Sequence, residues 1–169
     1  MSDTTLDILL ELIKKPSVTP EDCGCQDYIA NFLEKLGFTI EHLPFGDVKN
    51  LWATHGQSGP IFAFAGHTDV VPPGDLTHWD TSPFQPTQVG DKLYGRGTAD
   101  MKGAIAAMLT ATKQFIEATP SHPGQLAFLI TSDEEGNPPL MLWVLSKKLL
   151  HSNHHSSNRP FHICRATPV

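Results

Sequence analysis

The stretch that decides the fold is Ile61-Phe62-Ala63-Phe64-Ala65-Gly66-His67-Thr68-Asp69. Ile61 to Ala65 is apolar without alternation, the pattern of a short strand buried on both faces, and such strands belong to sheets covered by helices. The run ends on a glycine, a histidine and an aspartate, and in open α/β sheets ligands bind beyond the carboxyl ends of strands. On an extended chain residues two apart project to the same side, so His67 and Asp69 face one site. An imidazole there can ligate a metal through one ring nitrogen while Asp69 accepts a hydrogen bond from the other. Taken singly, a His-x-Asp pair is more often a surface histidine beside a capping aspartate.

Working outward, Leu6, Ile8, Leu9, Leu10, Leu12 and Ile13 form an apolar stripe at helical period, with Asp3 or Thr4 as cap and Pro16 as stop. A second helix is predicted from about Pro20 to Leu36, with Gly37 at its left-handed end. Phe38 to Leu43 and Leu51 to Thr54 read as strands. Val71 to Gln88 holds Pro72, Pro73, Gly74, Pro83 and Pro86, too many breakers for regular structure, with Trp79 and Phe84 to pack it down. Asp91 to Tyr94 reads as a brief strand, Asp100 to about Ala118 as a long helix, and Gln125 to Thr131 as another strand. Strands alternating with helices predict an α/β fold, a three-layer sandwich around a central mixed, mostly parallel sheet.

Two further clusters fall where strands or turns end. In Gly95-Arg96-Gly97-Thr98-Ala99-Asp100-Met101-Lys102-Gly103 the glycines let the backbone approach a ligand, and Asp100 stands where the long helix is expected to begin. There it is either an N-cap or a ligand bridging two cations. Ser132-Asp133-Glu134-Glu135-Gly136 puts three acids in a row after an apolar strand. Like charges this close are offset by solvation or by bound cations. Adjacent Glu134 and Glu135 project differently, so one can ligate metal while the other takes a proton from water.

The composition excludes several classes of function. With 169 residues there is room for one domain or part of a larger one, and a net charge of −6 gives no basic footprint for nucleic acid or anionic lipid. No apolar run is long enough to span a bilayer, and the Met1-Ser2-Asp3 start does not resemble a secretory signal, so the expected location is the cytoplasm. Cys23-Gly24-Cys25 lacks the spacing of redox or zinc-ribbon pairs and reads as ordinary reduced thiols. Gly95-Arg96-Gly97 lacks the spacing of a nucleotide-binding loop.

Together the three clusters resemble the signatures of the M20 family of metallopeptidases and deacylases: His67-Thr68-Asp69-Val70-Val71-Pro72, then Gly95 to Gly103, then Ser132 to Gly136. Within the family, Pro16-Ser17-Val18-Thr19-Pro20, Gly24-Cys25-Gln26 and the Trp79 to Phe84 stretch look most like members that remove a succinyl group from an amino acid. The resemblance implies a zinc-peptidase-like catalytic domain holding two divalent metal ions, zinc or cobalt. It implies His67 on one ion, Asp100 bridging both and Glu135 on the second, with Asp69 orienting His67 and Glu134 as general base. The implied partner is a small-molecule N-succinyl amino acid, with no nucleic acid and no membrane, and members of the family form homodimers.

The resemblance runs from Leu6 to Gly136, so residues 1–136 are expected to form the N-terminal part of the catalytic domain. A later glutamate ligand, a C-terminal histidine ligand and the lid and dimerisation domain of the family have no counterpart. After Gly136 the chain reads Asn137-Pro138-Pro139-Leu140-Met141-Leu142, and back-translation in a shifted frame permits Ser-Ala-Ile-Asp-Ala, close to the family's text. Residues 137–169 are therefore expected to be an out-of-frame tail, with a short helix from Leu140 to Leu150 and a polar, His-rich run to Pro160 that cannot bury a core. The alternatives are a related N-acyl-amino-acid deacylase or dipeptidase, and a non-catalytic metal-binding remnant.

Overall fold

The structure is a computed structural model, which describes residues 4–57, 59–136 and the backbone of 161–165. Three helices are described: α1 (Thr5–Ile13), α2 (Cys25–Glu34) and α3 (Gly103–Ala118). The strands are β1 (Thr39–His42), β2 (Asn50–His55), β3 (Ile61–His67), β4 (Thr87–Val89), β5 (Lys92–Tyr94), β6 (Gln125–Thr131) and β7 (Phe161–Arg165). The main sheet has the order β1-β2-β6-β3-β7, and β4 and β5 form a separate hairpin. The fold is thus α/β with a mixed sheet. β1, β2 and β6 pair antiparallel, whereas β3 runs parallel to both β6 and β7.

Helix α1 starts as its sequence dictates. The Thr4 hydroxyl caps it by accepting the Asp7 N–H at 3.2 Å, and the Asp7 carboxylate accepts the Thr4 N–H at 3.2 Å. Ile8 and Leu12 from α1, Ile29 and Leu33 from α2 and Ile105 and Leu109 from α3 pack in one cluster with Leu51, Ala53, Phe128 and Ile130 of the sheet. Each such buried aliphatic side chain contributes about 1.5–3 kcal/mol relative to exposure. All three described helices therefore lie on one face. The opposite face carries Trp52, Ile61, Ala63, Ala127 and Leu129, also buried. The helix expected from Leu140 to Leu150 and the polar run to Pro160 lie outside the described residues.

Two expectations are corrected. Helix α2 begins at Cys25, not near Pro20, because the Asp22 carboxylate accepts the Gly24 and Gln26 N–H groups while Val18 is engaged upstream in a bridge to Val70. The long helix begins at Gly103, after a wide π-type turn over Thr98–Lys102 in which Asp100 is extended, with φ −122 and ψ 104. Asp100 is therefore no helix cap. Strand β7 was not foreseen; it pairs with β3 from Ile61↔Phe161 to Ala65↔Arg165. Among the described residues no helix is long and apolar enough to cross a membrane.

Candidate metal centre

The parallel pairing of β3 with β6 sets His67 opposite Thr131, so the two strands end side by side. Their carboxyl ends deliver the His67 to Asp69 turn and the Ser132 to Glu135 turn to the same edge. The Thr98–Lys102 turn closes in from the side. His67 Nε2 lies 3.2 Å from Asp100 Oδ1. One ligand atom each from His67, Asp100 and Glu135 falls within 4.8 Å of the others, the one such group found among the described residues. One imidazole and two carboxylates of graded exposure, His67 buried and Asp100 open, form a mixed nitrogen and oxygen donor set that fits a divalent cation such as zinc.

Asp69 is fully buried and holds this cluster together. His67 Nδ1 is 2.9 Å from the Asp69 carbonyl and 3.4 Å from its carboxylate, so both oxygens steady the ring. The carboxylate also accepts the backbone N–H of Glu134 at 3.1 Å on Oδ1 and that of Glu135 at 3.0 Å on Oδ2. Burial opposes the imidazolium of His67, but the hydrogen bonds and charge of Asp69 outweigh it and raise the histidine to about 9. Burial alone would raise Asp69, yet its bonds to His67, Glu135 and Glu134 bring it below the usual carboxylate value. Glu135 is raised by burial, with the charges of Asp100, Asp69 and Glu134 adding to it. A bound cation relieves this crowding of acids.

Sequence reasoning missed the residues that hold the turns in place. Ser17 Oγ donates to the Thr68 carbonyl at 2.7 Å and Thr68 Oγ1 to Asp22 at 3.0 Å. Ser132 Oγ donates to the Pro20 carbonyl at 2.9 Å and Thr19 Oγ1 to Asp133 at 3.1 Å. The segment from Ser17 to Asp22 is thus stitched to both ligand-bearing turns. Lys102 is fully buried, and its ammonium donates to the carbonyls of Leu12 at 2.9 Å and Lys15 at 2.8 Å, tying the Asp100 turn to the end of α1. Gly97 is also required here, since a Cβ on it would stand 2.4 Å from Val70 Cγ1 at a φ of +80. The sequence signals for this network were the Pro16 to Pro20 motif and the membership of Gly97, Lys102, Ser132 and Asp133 in the two later motifs.

A cavity of about 370 Å³ opens beside the cluster, with Asp100, Glu135, Val70, Val71 and Arg96 in its wall.

A mixed α/β sheet whose strand ends converge on a histidine and carboxylates defines the architecture of a metal-dependent hydrolase domain, and comparison with known proteins agrees. The model of Peptidase family M20/M25/M40 matches residues 63–162, and the chain belongs to that family. It is 58% identical over 130 residues to a succinyl-diaminopimelate desuccinylase of Xylella fastidiosa, covering 77% of this chain and 34% of that protein. It is 53% identical over 132 residues to the enzyme of the same name from Coxiella burnetii, covering 78% of this chain and 35% of the relative. The chain thus spans about a third of the length of these curated relatives. Among solved structures, human carnosine dipeptidase 1 superposes with a TM-score of 0.78 at 25% identity, over 96% of this chain and 38% of that one.

Proposed function

We propose that this chain carries the metal-binding part of an amide hydrolase that cleaves N-succinyl-LL-2,6-diaminopimelate to succinate and LL-diaminopimelate, a step toward lysine. The observation that carries the reading is the convergence of His67, Asp100 and Glu135 within 4.8 Å. The names of the relatives at 53 and 58% identity support the substrate.

His67, Asp100 and Glu135 would hold the metal, zinc or cobalt, with Asp100 between two ions. The metal would supply Lewis acidity that polarises the amide carbonyl and stabilises the charge developing on its oxygen. Glu134 accepts the proton of the attacking water and hands it to the leaving nitrogen, which also takes up the second proton of that water, so that water and amide become carboxylate and ammonium. Asp69 keeps the His67 ring oriented and, through its bonds to the Glu134 and Glu135 backbones, fixes where those two side chains start.

A second reading is favoured by the donor count. Among the described residues three side chains suffice for one cation and would leave a pair of cations short of ligands, which suits a non-catalytic metal-binding remnant. The kinship with a carnosine dipeptidase keeps a dipeptidase or N-acyl-amino-acid deacylase as the neighbouring activity.

Zinc titration by calorimetry, paired with hydrolysis of N-succinyl-LL-2,6-diaminopimelate, tests these readings in wild type, His67→Ala and Glu134→Gln. Zinc binding lost in His67→Ala, with turnover lost in a Glu134→Gln chain that still binds zinc, supports the hydrolase. Zinc bound without turnover leaves the remnant. Absence of zinc binding by the wild-type chain overturns both.

The proposal extends to residues 137–169 as the product of a shifted reading frame. Back-translation of Asn137 onward and the 130–132-residue span of the curated relatives support it. The family match out to residue 162 and the pairing of β7 with β3 run the other way. Resequencing the gene decides: a single missing or extra base near the Gly136 codon restores the family's text, and an intact frame overturns the idea.

A further inference from the structure

Arg96 stands one residue before Gly97 at the mouth of the metal cavity, and the role read for the three clusters leaves it unused. Its backbone N–H is anchored to the Pro83 carbonyl at 2.6 Å, and its guanidinium carbon lies 5.2 Å from the centroid of the Trp79 ring. Trp79 is itself fixed by its indole N–H, which donates to the Pro73 carbonyl at 2.9 Å. A guanidinium carries five N–H donors in a planar fork suited to a carboxylate. Here Nη2 reaches the Pro72 carbonyl only at 3.5 Å, and Nε is buried without a hydrogen-bond partner. The ring face and the carbonyl are neutral and do not cancel its charge. Buried donors are nearly always satisfied, and one left open on a preoriented cation leaves its acceptor to be supplied from outside the chain, by water or by a ligand.

The surroundings say which ligand. Arg96 shares the wall of the 370 Å³ cavity with Asp100 and Glu135, so whatever enters to reach the candidate cation passes the guanidinium. We propose that Arg96 is a specificity-determining residue that receives a carboxylate of the substrate while the scissile amide lies at the metal. This inference rests on the desuccinylase reading, because an N-succinyl amino acid carries carboxylates at both ends. The acyl-chain carboxylate and an amino-acid carboxylate share this chemistry, and the two products separate them.

The test is a titration of the zinc-loaded full chain with succinate and, separately, with LL-diaminopimelate. Binding is followed by calorimetry and by the fluorescence of Trp79, with Trp79→Phe identifying its share of the signal. The product whose carboxylate Arg96 receives is expected to bind Arg96→Met roughly ten- to a hundredfold more weakly, the loss typical of a charge-assisted pair, and Arg96→Lys to fall between. Zinc affinity is expected to stay unchanged in both variants, which separates this role from support of the metal turn and shows that the variants fold. Succinate as the affected product assigns the acyl chain, and LL-diaminopimelate assigns the amino acid. Wild-type affinity for both products in the two variants, or no binding of either product to the wild-type chain, overturns the proposal. Failure of the wild-type chain to bind zinc overturns the metal reading instead, and the same titrations without zinc still read the guanidinium.

Discussion

The Asp69 carboxylate reaches from the turn after β3 to the backbone of Glu134, its Oδ1 3.1 Å from that N–H. Its other oxygen takes the Glu135 N–H at 3.0 Å, so one buried residue sets the position of the acidic turn and the tilt of the His67 ring together, the ring being held by the Asp69 carbonyl at 2.9 Å and its carboxylate at 3.4 Å.

Asp69→Asn therefore acts on two partners. The amide keeps one acceptor and turns its NH₂ toward a backbone donor, leaving a buried N–H unsatisfied at about 1–3 kcal/mol. Zinc affinity is expected to fall about 10–100-fold, as on loss of other groups that orient a ligand. Urea denaturation and zinc calorimetry measure the two effects; unchanged affinity would remove Asp69 from the positioning role.

In the metal-free chain His67 is raised to about 9 from an unfolded value of 6.5. A histidine with a raised folded value stabilises fully below the unfolded value, and that stability is lost as the pH climbs through the folded one. Asp69, lowered from 3.8, stabilises above that value and loses its contribution in more acidic solution. Stability to urea is thus expected to be highest between these limits and to decline from 6.5 toward about 9. In His67→Gln the alkaline decline over this window is expected to disappear.

Lys102→Met removes an ammonium that satisfies the buried carbonyl of Leu12 and the part-buried carbonyl of Lys15. The expected cost is about 2–4 kcal/mol, the sum of two lost charge-assisted bonds less the apolar gain. Thermal or urea unfolding checks it. Because Lys102 follows Asp100 in the same turn, a shift in zinc affinity should accompany the loss.

Gly97→Ala places a methyl 2.4 Å from Val70 Cγ1 at a φ of +80. Overpacking and left-handed backbone together are expected to cost about 2–4 kcal/mol. Combining it with Val70→Ala should restore only the packing part, and full recovery would show that the backbone is not strained.

Much of the frame was legible because local pattern and final environment coincide. The apolar runs of Ile61 to Ala65 and Leu126 to Ile130 became β3 and β6, and the residues that end them were the candidate ligands; β3 is not buried on both faces as expected, since Ile61, Ala63 and Ala65 are buried while Phe62 is 40% exposed. His67, Asp100 and Glu135 were named from their motifs, and the fold brings their ligand atoms together. The start of α2 was misplaced because Pro20 favours a first helical turn, whereas Val18 and Asp22 are occupied by tertiary partners. Asp100 read as a possible cap since a wide turn leaves no mark in single-residue preferences. Lys102 was invisible as a support, as its acceptors lie at and just beyond the end of a helix far away in sequence.

The order of strands carries one more consequence. β3 pairs with β6, not with its neighbours in sequence, and the Asp100 turn lies in the long excursion between them. No stretch of the chain shorter than that excursion can gather the three donors, and distant pairings of this kind form slowly because loop closure precedes their reward. A cation that waits for all three would register the completion of the sheet, so the appearance of zinc affinity during refolding becomes a clock for the last act of assembly.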